Sequence, residues 1–151
     1  MLAEMEEILR YLMKYCSFLY SPNRFRFVDS GSSDSFGNAF LVLEHEELRL
    51  QFVKDRGQIF LDFQHTSKNH KDDWFSIDIV KQMVTGKIEP SAEMDSEKVE
   101  FLKTNLDEIE QLFSTANMEG TIKKLRELER ARAKRLFPRT YRYERDEKER
   151  V

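Results

Sequence analysis

Three short segments in the first half of the chain have an apolar residue at every second position, and they restrict the fold more than any other feature. They cover residues 39–44, 48–54 and 58–64, and only a few residues separate each from the next. Alternation with a period of two is typical of strands that have one buried face. We therefore predict an antiparallel meander of these three strands, preceded by a fourth strand over residues 24–28.

One pairing of the three strands places their apolar side chains on a single face. It assumes a four-residue loop over 54–57 that ends with Gly57 in the left-handed region. The core-facing pairs are then Phe52 with Ile59, Leu50 with Leu61, Leu48 with Phe63, Leu41 with Leu50, and Ala39 with Phe52. On the reverse face, the same register predicts that Arg49 lies beside Asp62 as a favourable cross-strand pair.

Four further segments have the apolar spacing of amphipathic helices. We predict helices over residues 2–20, from Ser76 to Gly86, from a cap at Asp95 or Ser96 to Phe113, and from Thr115 or Asn117 to Phe137. A chain of 151 residues is long enough for one domain. The predicted fold class is α+β, a four-stranded antiparallel meander packed against about four helices. Residues 1–137 form this domain, and residues 138–151 form a charged, frayed tail.

The charges are distributed unevenly along the chain. The net charge is −3, yet residues 121–151 contain twelve Lys and Arg against six Asp and Glu, whereas the first 120 residues contain 13 against 22. The sequence therefore predicts an acidic body with a basic C-terminal helix. An acidic body favours a basic protein partner through electrostatic steering.

No group of residues has the spacing of a catalytic or metal site. His45, His65 and His70 are not spaced as ligands on one helix, and we expect His65 and His70 to be solvated in a polar linker. Cys16 lies on the apolar face of the first helix, where a small buried side chain is expected. We predict no enzyme activity, no cofactor, no bound metal and no small-molecule substrate.

Residues 30–37 are rich in Ser and Gly but do not match a phosphate-binding motif. They lack the Gly-Lys-Ser/Thr ending and precede a strand rather than a helix, so we predict a flexible loop over residues 29–38.

Three features of the sequence indicate where in the cell the protein is found. One cysteine cannot form an internal disulfide, which suits a reducing compartment. The N-terminus lacks the basic residues of a signal peptide, and no apolar run reaches membrane-spanning length. We expect a cytoplasmic protein that does not enter the membrane.

Two segments resemble a known family. Residues 48–63 read LRLQFVKDRGQIFLDF and residues 74–80 read WFSIDIV. They are similar to segments of small bacterial immunity proteins of contact-dependent inhibition and other polymorphic toxin systems. The resemblance implies a cytoplasmic protein that binds and neutralises one cognate toxin. It implies no shared catalytic residues.

The antiparallel order predicts where a partner binds. The turn after residue 43 and the exit of the strand that ends at residue 64 lie at one end of the sheet. The candidate residues there are Glu44, Glu46, Glu47, Asp72, Asp73 and Trp74. Trp74 is either an interface residue or a core anchor for the following helix. The alternative function is a nucleic-acid- or ribosome-associated factor that uses the basic C-terminal segment. Its tyrosines, Tyr141 and Tyr143, would stack on bases, and its cations would contact phosphates, namely Lys123, Lys124, Arg126, Arg130, Arg132, Lys134, Arg135, Arg139 and Arg142.

Overall fold

The alternating segments lie at the centre of a five-stranded antiparallel sheet. The computed structural model describes residues 2–22, 24–33, 38–72 and 74–138. The strands are β1 (Arg26–Ser33), β2 (Asn38–His45), β3 (Leu48–Asp55), β4 (Gln58–His65) and β5 (Phe75–Ser76), and they lie in sequence order. The α+β class and the antiparallel meander are confirmed. The fifth strand was not predicted, because its two residues are too few to show alternation.

The predicted strand register is wrong by two residues in both hairpins. The β3–β4 turn contains only Arg56 and Gly57, whose φ angles are 50° and 85°, as in the tight hairpin turns that require positive φ at both positions. Leu50 therefore pairs with Phe63, and Leu43 pairs with Leu50. Because side chains alternate with a period of two, a shift of two residues leaves every side chain on its predicted face.

The predicted Arg49–Asp62 pair does not exist in this register. Arg49 lies opposite Gln64, and Asp62 lies opposite Gln51. The ion pair on the reverse face was therefore a wrong prediction that followed directly from the wrong turn length.

The first strand extends into the segment predicted as a loop. β1 continues through Ser33 and pairs along its length with β2, with a bulge between Phe27 and Asp29. Gly31 lies opposite Phe40, and a Cβ at Gly31 would lie 2.4 Å from Phe40 Cε1. A side chain at position 31 would displace the Phe40 ring, so this close approach favours glycine. Residues 34–37 of the predicted loop are outside the described residues.

The four predicted helices are confirmed with shorter ends. They are α1 (Leu2–Tyr15), α2 (Ile77–Thr85), α3 (Ser96–Leu112) and α4 (Met118–Leu136). A 3-10 turn at Ser17–Leu19 replaces the predicted last turn of α1. Asp95 caps α3 by accepting the N–H of Lys98 at 2.9 Å, and Gly86 ends α2 with a φ of 78°. Apart from Pro138, the predicted tail is outside the described residues.

The helices and one face of the sheet enclose a single apolar core. The sheet contributes fully buried side chains from each central strand, namely Leu43, Leu50, Phe52, Leu61 and Phe63. Ile8 and Leu12 of α1, Leu102 and Ile109 of α3, and Leu125 of α4 belong to the same cluster. In the part of the chain that the structure describes, no helix combines the length and the apolar character needed to cross a bilayer.

Candidate partner-binding site

The β2–β3 turn presents two glutamates with different roles. Glu46 is exposed in the left-handed conformation, with a φ of 52°, and has no hydrogen-bond or ion-pair partner among the described residues. The Glu47 carboxylate instead accepts the backbone N–H of Thr115, in the turn between α3 and α4. Glu46 is therefore available to a partner, whereas Glu47 fixes the sheet to the helices.

A four-residue polar network lies beside this turn. His45 Nδ1 is 2.8 Å from Glu110 Oε1, and Arg24 Nη2 donates to Glu110 Oε2 at 2.9 Å. Arg24 also donates to Asp107, whose side chain is 92% exposed. The network joins the segment before β1 and the end of β2 to α3. Sequence reasoning missed these contacts because the partners are 65 to 86 positions apart.

Two neighbouring clefts surround the turn. The first has a volume of about 410 Å³ and is lined by His45, Glu46, Glu47, Leu48, Asp107, Glu110, Gln111 and Ser114. The second, of about 390 Å³, is lined by Tyr20, Arg24, Phe25, Arg26, Glu44, His45 and Glu46. We call the first the acidic cleft, since its lining among the described residues contains four carboxylates and no Lys or Arg.

Glu44, the third predicted glutamate, is partly neutralised. Its carboxylate lies 3.8 Å from Arg26 Nη2 and 3.8 Å from Arg49 Nε. Arg49 is mostly buried and holds the loop after β4, with Nη1 donating to Gln64 Oε1 at 2.7 Å and Nη2 to the Thr66 carbonyl at 2.9 Å. Glu44 therefore helps to orient a structural arginine.

The loop between β4 and β5 carries the other predicted residues. Gln64 Nε2 donates to the carbonyl of Asp72 at 2.8 Å, and the Trp74 indole N–H donates to the carbonyl of His70 at 2.8 Å. Asp72 is exposed and Trp74 is half-buried. The indole thus closes its own loop and is not part of the enclosed core. Asp73 is outside the described residues.

The structure places this loop and the β2–β3 turn at the same end of the sheet. Leu48 pairs with His65, and the Thr66 N–H donates to the Glu47 carbonyl at 3.0 Å. Glu44, Glu46 and Glu47 therefore share one end with the beginning of the loop that leads to Asp72 and Trp74.

His65 is not the solvated histidine that the sequence predicted. It ends β4 and is 4% exposed, and burial lowers its pKa. Its Nδ1 accepts the N–H of Ser67 at 3.0 Å, so the neutral ring carries its proton on Nε2. Nε2 has no hydrogen-bond partner among the described residues, and the Glu47 carboxylate lies 3.9 Å away. The His65 ring is therefore buried where the end of β4 meets the β2–β3 turn.

The basic helix α4 is attached to the acidic body through Arg132. Its Nη1 donates to Asp78 Oδ2 at 2.8 Å and to Ser76 Oγ at 3.0 Å. Ser76 is at the N-cap position of α2 as predicted, but its hydroxyl bonds Asp78 rather than the helix backbone. Asp62 lies near this cluster, and burial together with the charge of Asp78 raises its pKa to about 6.

The chemistry of these side chains suits binding. Among the described residues, no group of three or more His, Cys, Asp or Glu side chains is arranged to hold a metal ion. Cys16 is fully buried, as predicted, and burial raises the pKa of its thiol to about 12, which suppresses the nucleophilic thiolate. An open cleft lined by carboxylates attracts cationic groups.

The chain was compared with protein-family models, curated protein sequences and solved structures, and none of them matches it.

Proposed function

We propose that this chain is a non-catalytic binding protein that engages a basic protein partner through the acidic cleft. Within that role, the resemblance of residues 48–63 and 74–80 to immunity proteins favours a cytoplasmic immunity protein that neutralises a cognate toxin. The supporting observation is the convergence of Glu46, Glu47, Asp107 and Glu110 around an open cleft, where Arg24 compensates only one of the four negative charges.

The cleft provides both rigidity and charge. Glu47 is bonded to Thr115, and Glu110 is bonded to Arg24 and His45, so the walls are held in place before a partner arrives. Such preorganisation reduces the entropy that is lost on binding. Glu46 is exposed at the rim and has no partner among the described residues, and a charge at the rim mainly accelerates association.

The alternative function, a nucleic-acid- or ribosome-associated factor, has less support. Arg132, one of the nine cations predicted to contact nucleic acid, is held by Asp78 and Ser76. Arg139 and Arg142 lie outside the described residues, and the other six are exposed on α4, namely Lys123, Lys124, Arg126, Arg130, Lys134 and Arg135.

The test is a binding experiment with the product of the gene directly upstream of the gene for this chain, which the immunity function requires to be a toxin. The Glu46→Lys variant replaces the exposed carboxylate at the rim of the cleft with a cation. It breaks no hydrogen bond among the described residues. We expect its association rate constant to fall about tenfold or more at low salt, with a smaller defect at high salt because screening weakens steering.

Glu108→Lys is the matched control, since Glu108 is exposed on α3 but does not line the acidic cleft. Biolayer interferometry at two salt concentrations measures both variants against the wild type. Equal association rates for the two variants would contradict the assignment of the cleft. Failure of the neighbouring gene's product to bind at all would contradict the immunity function.

A further inference from the structure

Another groove lies between α4 and the loop after β4, and it carries the opposite charge. It has a volume of about 380 Å³ and is lined by Lys68, Met118, Glu119, Ile122, Lys123, Arg126 and Arg130. Four of these side chains are cationic and one is acidic. We call it the basic groove.

The cations flank the groove on two sides, three from α4 and one from the loop. Lys123, Arg126 and Arg130 follow one face of α4 at helical spacing, and Lys68 faces them from the loop after β4. The Arg49 guanidinium fixes that loop by donating to the Lys68 carbonyl at 2.9 Å. Lys68, Lys123 and Arg130 make no ion pair with any described residue.

The floor of the groove, between Lys68 and the cations of α4, is apolar. Ile122 is 8% exposed and belongs to the core, and the half-buried Met118 lies one turn before it. A ligand that fits this groove therefore has negative charges on its flanks and an apolar group facing the floor. We propose that the basic groove binds an acidic peptide segment of a protein partner, with one apolar side chain against Met118 and Ile122.

The side chains that line the groove favour a peptide over a nucleic-acid strand. The cations of α4 extend from Lys123 to Arg130, about 10 Å along the helix axis, which matches about three extended residues. Among the described residues, which exclude Tyr141 and Tyr143, no aromatic side chain lines the groove to stack on a base. A polynucleotide that continued beyond the α3–α4 turn would approach the carboxylates of the acidic cleft, which repel phosphates.

The experiment is a selection of random 12-residue peptides displayed on phage against the intact chain. We expect enriched peptides to contain several Asp or Glu around a central apolar residue. Fluorescence anisotropy with a synthetic copy of the most enriched peptide then measures Kd for each variant. We expect the double variant Lys123→Glu/Arg130→Glu to weaken binding at least thirtyfold, because two attractive charges become repulsive.

The control is Lys87→Glu/Lys103→Glu, which makes the same change in net charge at two exposed lysines outside the groove. Circular dichroism melting verifies that both double variants fold, and Lys68→Glu tests the groove from the loop side. Met118→Ser is expected to weaken the peptide several-fold without changing its salt dependence.

Three outcomes would overturn the proposal. They are enriched peptides without acidic residues, equal losses in the groove variant and its control, and tighter binding of a 12-nucleotide oligouridine that depends on the same cations. The last result would assign the groove to nucleic acid. Because none of these variants alters the acidic cleft, the outcome is independent of the function proposed above.

Discussion

Asp62 makes the free energy of unfolding decrease as the pH rises, which is the opposite of what most carboxyl groups in folded proteins do. Its carboxyl group lies on the reverse face of β4, opposite Gln51 and Ser76, and is mostly buried. Burial is the main cause of its raised pKa, the charge of Asp78 adds to the increase, and Arg132 opposes it. The folded protein therefore binds a proton at this site more tightly than the unfolded chain does.

The size of the effect follows from the change in pKa. An increase from the ordinary value of 3.8 to about 6 corresponds to about 3 kcal/mol, at about 1.4 kcal/mol for each pKa unit. Because the folded pKa is higher, the favourable contribution is complete below about pH 4 and disappears as the pH rises to about 6. Above about pH 6, Asp62 is ionised in both the folded and the unfolded state. The free energy of unfolding is then lower by a constant amount than it would be with a neutral side chain at this position.

The Asp62→Asn variant replaces the carboxyl group with a neutral group of the same shape. We expect its free energy of unfolding to match that of the wild type near pH 4 and to exceed it by up to about 3 kcal/mol at pH 8. Urea unfolding at several pH values between 4 and 8 measures the difference, provided that the slope with urea stays the same.

Glu46→Gln is the control, because Glu46 is exposed and unpartnered among the described residues, so its effect stays small at every pH. The reasoning fails if Asp62→Asn gives the same difference at pH 4 and pH 8. It also fails if the variant is less stable at pH 8, which would mean that attraction to Arg132 outweighs burial.

Two further predictions concern the sheet. Arg49→Ala is expected to lower the free energy of unfolding by about 2–4 kcal/mol, since it removes three hydrogen bonds from a charged group and leaves Gln64 and two loop carbonyls without this donor. Urea unfolding measures this loss, and one below 1 kcal/mol would mean that Arg49 behaves as the surface residue inferred from the sequence. Leu61→Ala is expected to cost about 2–5 kcal/mol because Leu61 is fully buried. A cost for Leu61→Ala no larger than that of an exposed substitution would contradict the assigned strand faces.

The alternating pattern predicted which side chains face the core but not which residues lie opposite one another. Leu50, Phe52 and Leu61 are all fully buried, as the alternation requires. Their partners depend on the number of residues in each turn, and Arg56 adopts a positive φ that its side chain disfavours. The residue types favour a longer loop, so the two-residue turn was missed.

The helix ends were predicted well where a local signal exists. Asp95 and Gly86 act through their own side chain or backbone conformation, so their roles are visible within a few residues. The network of Arg24, His45 and Glu110 has no such signal. Its members are polar residues of ordinary spacing, and only the docking of α3 beside the end of β2 brings them together.

The uneven charge along the sequence places an acidic and a basic surface next to each other in the folded protein. The acidic body and the basic helix meet at the α3–α4 turn, where Glu47 bonds Thr115. The acidic cleft includes Ser114 just before that residue, and the basic groove begins at Met118 just after it. A uniformly basic partner would be attracted by one surface and repelled by its neighbour. Both proposals therefore favour a partner that presents positive and negative groups side by side, and such a partner binds in one orientation because the reversed arrangement places like charges together.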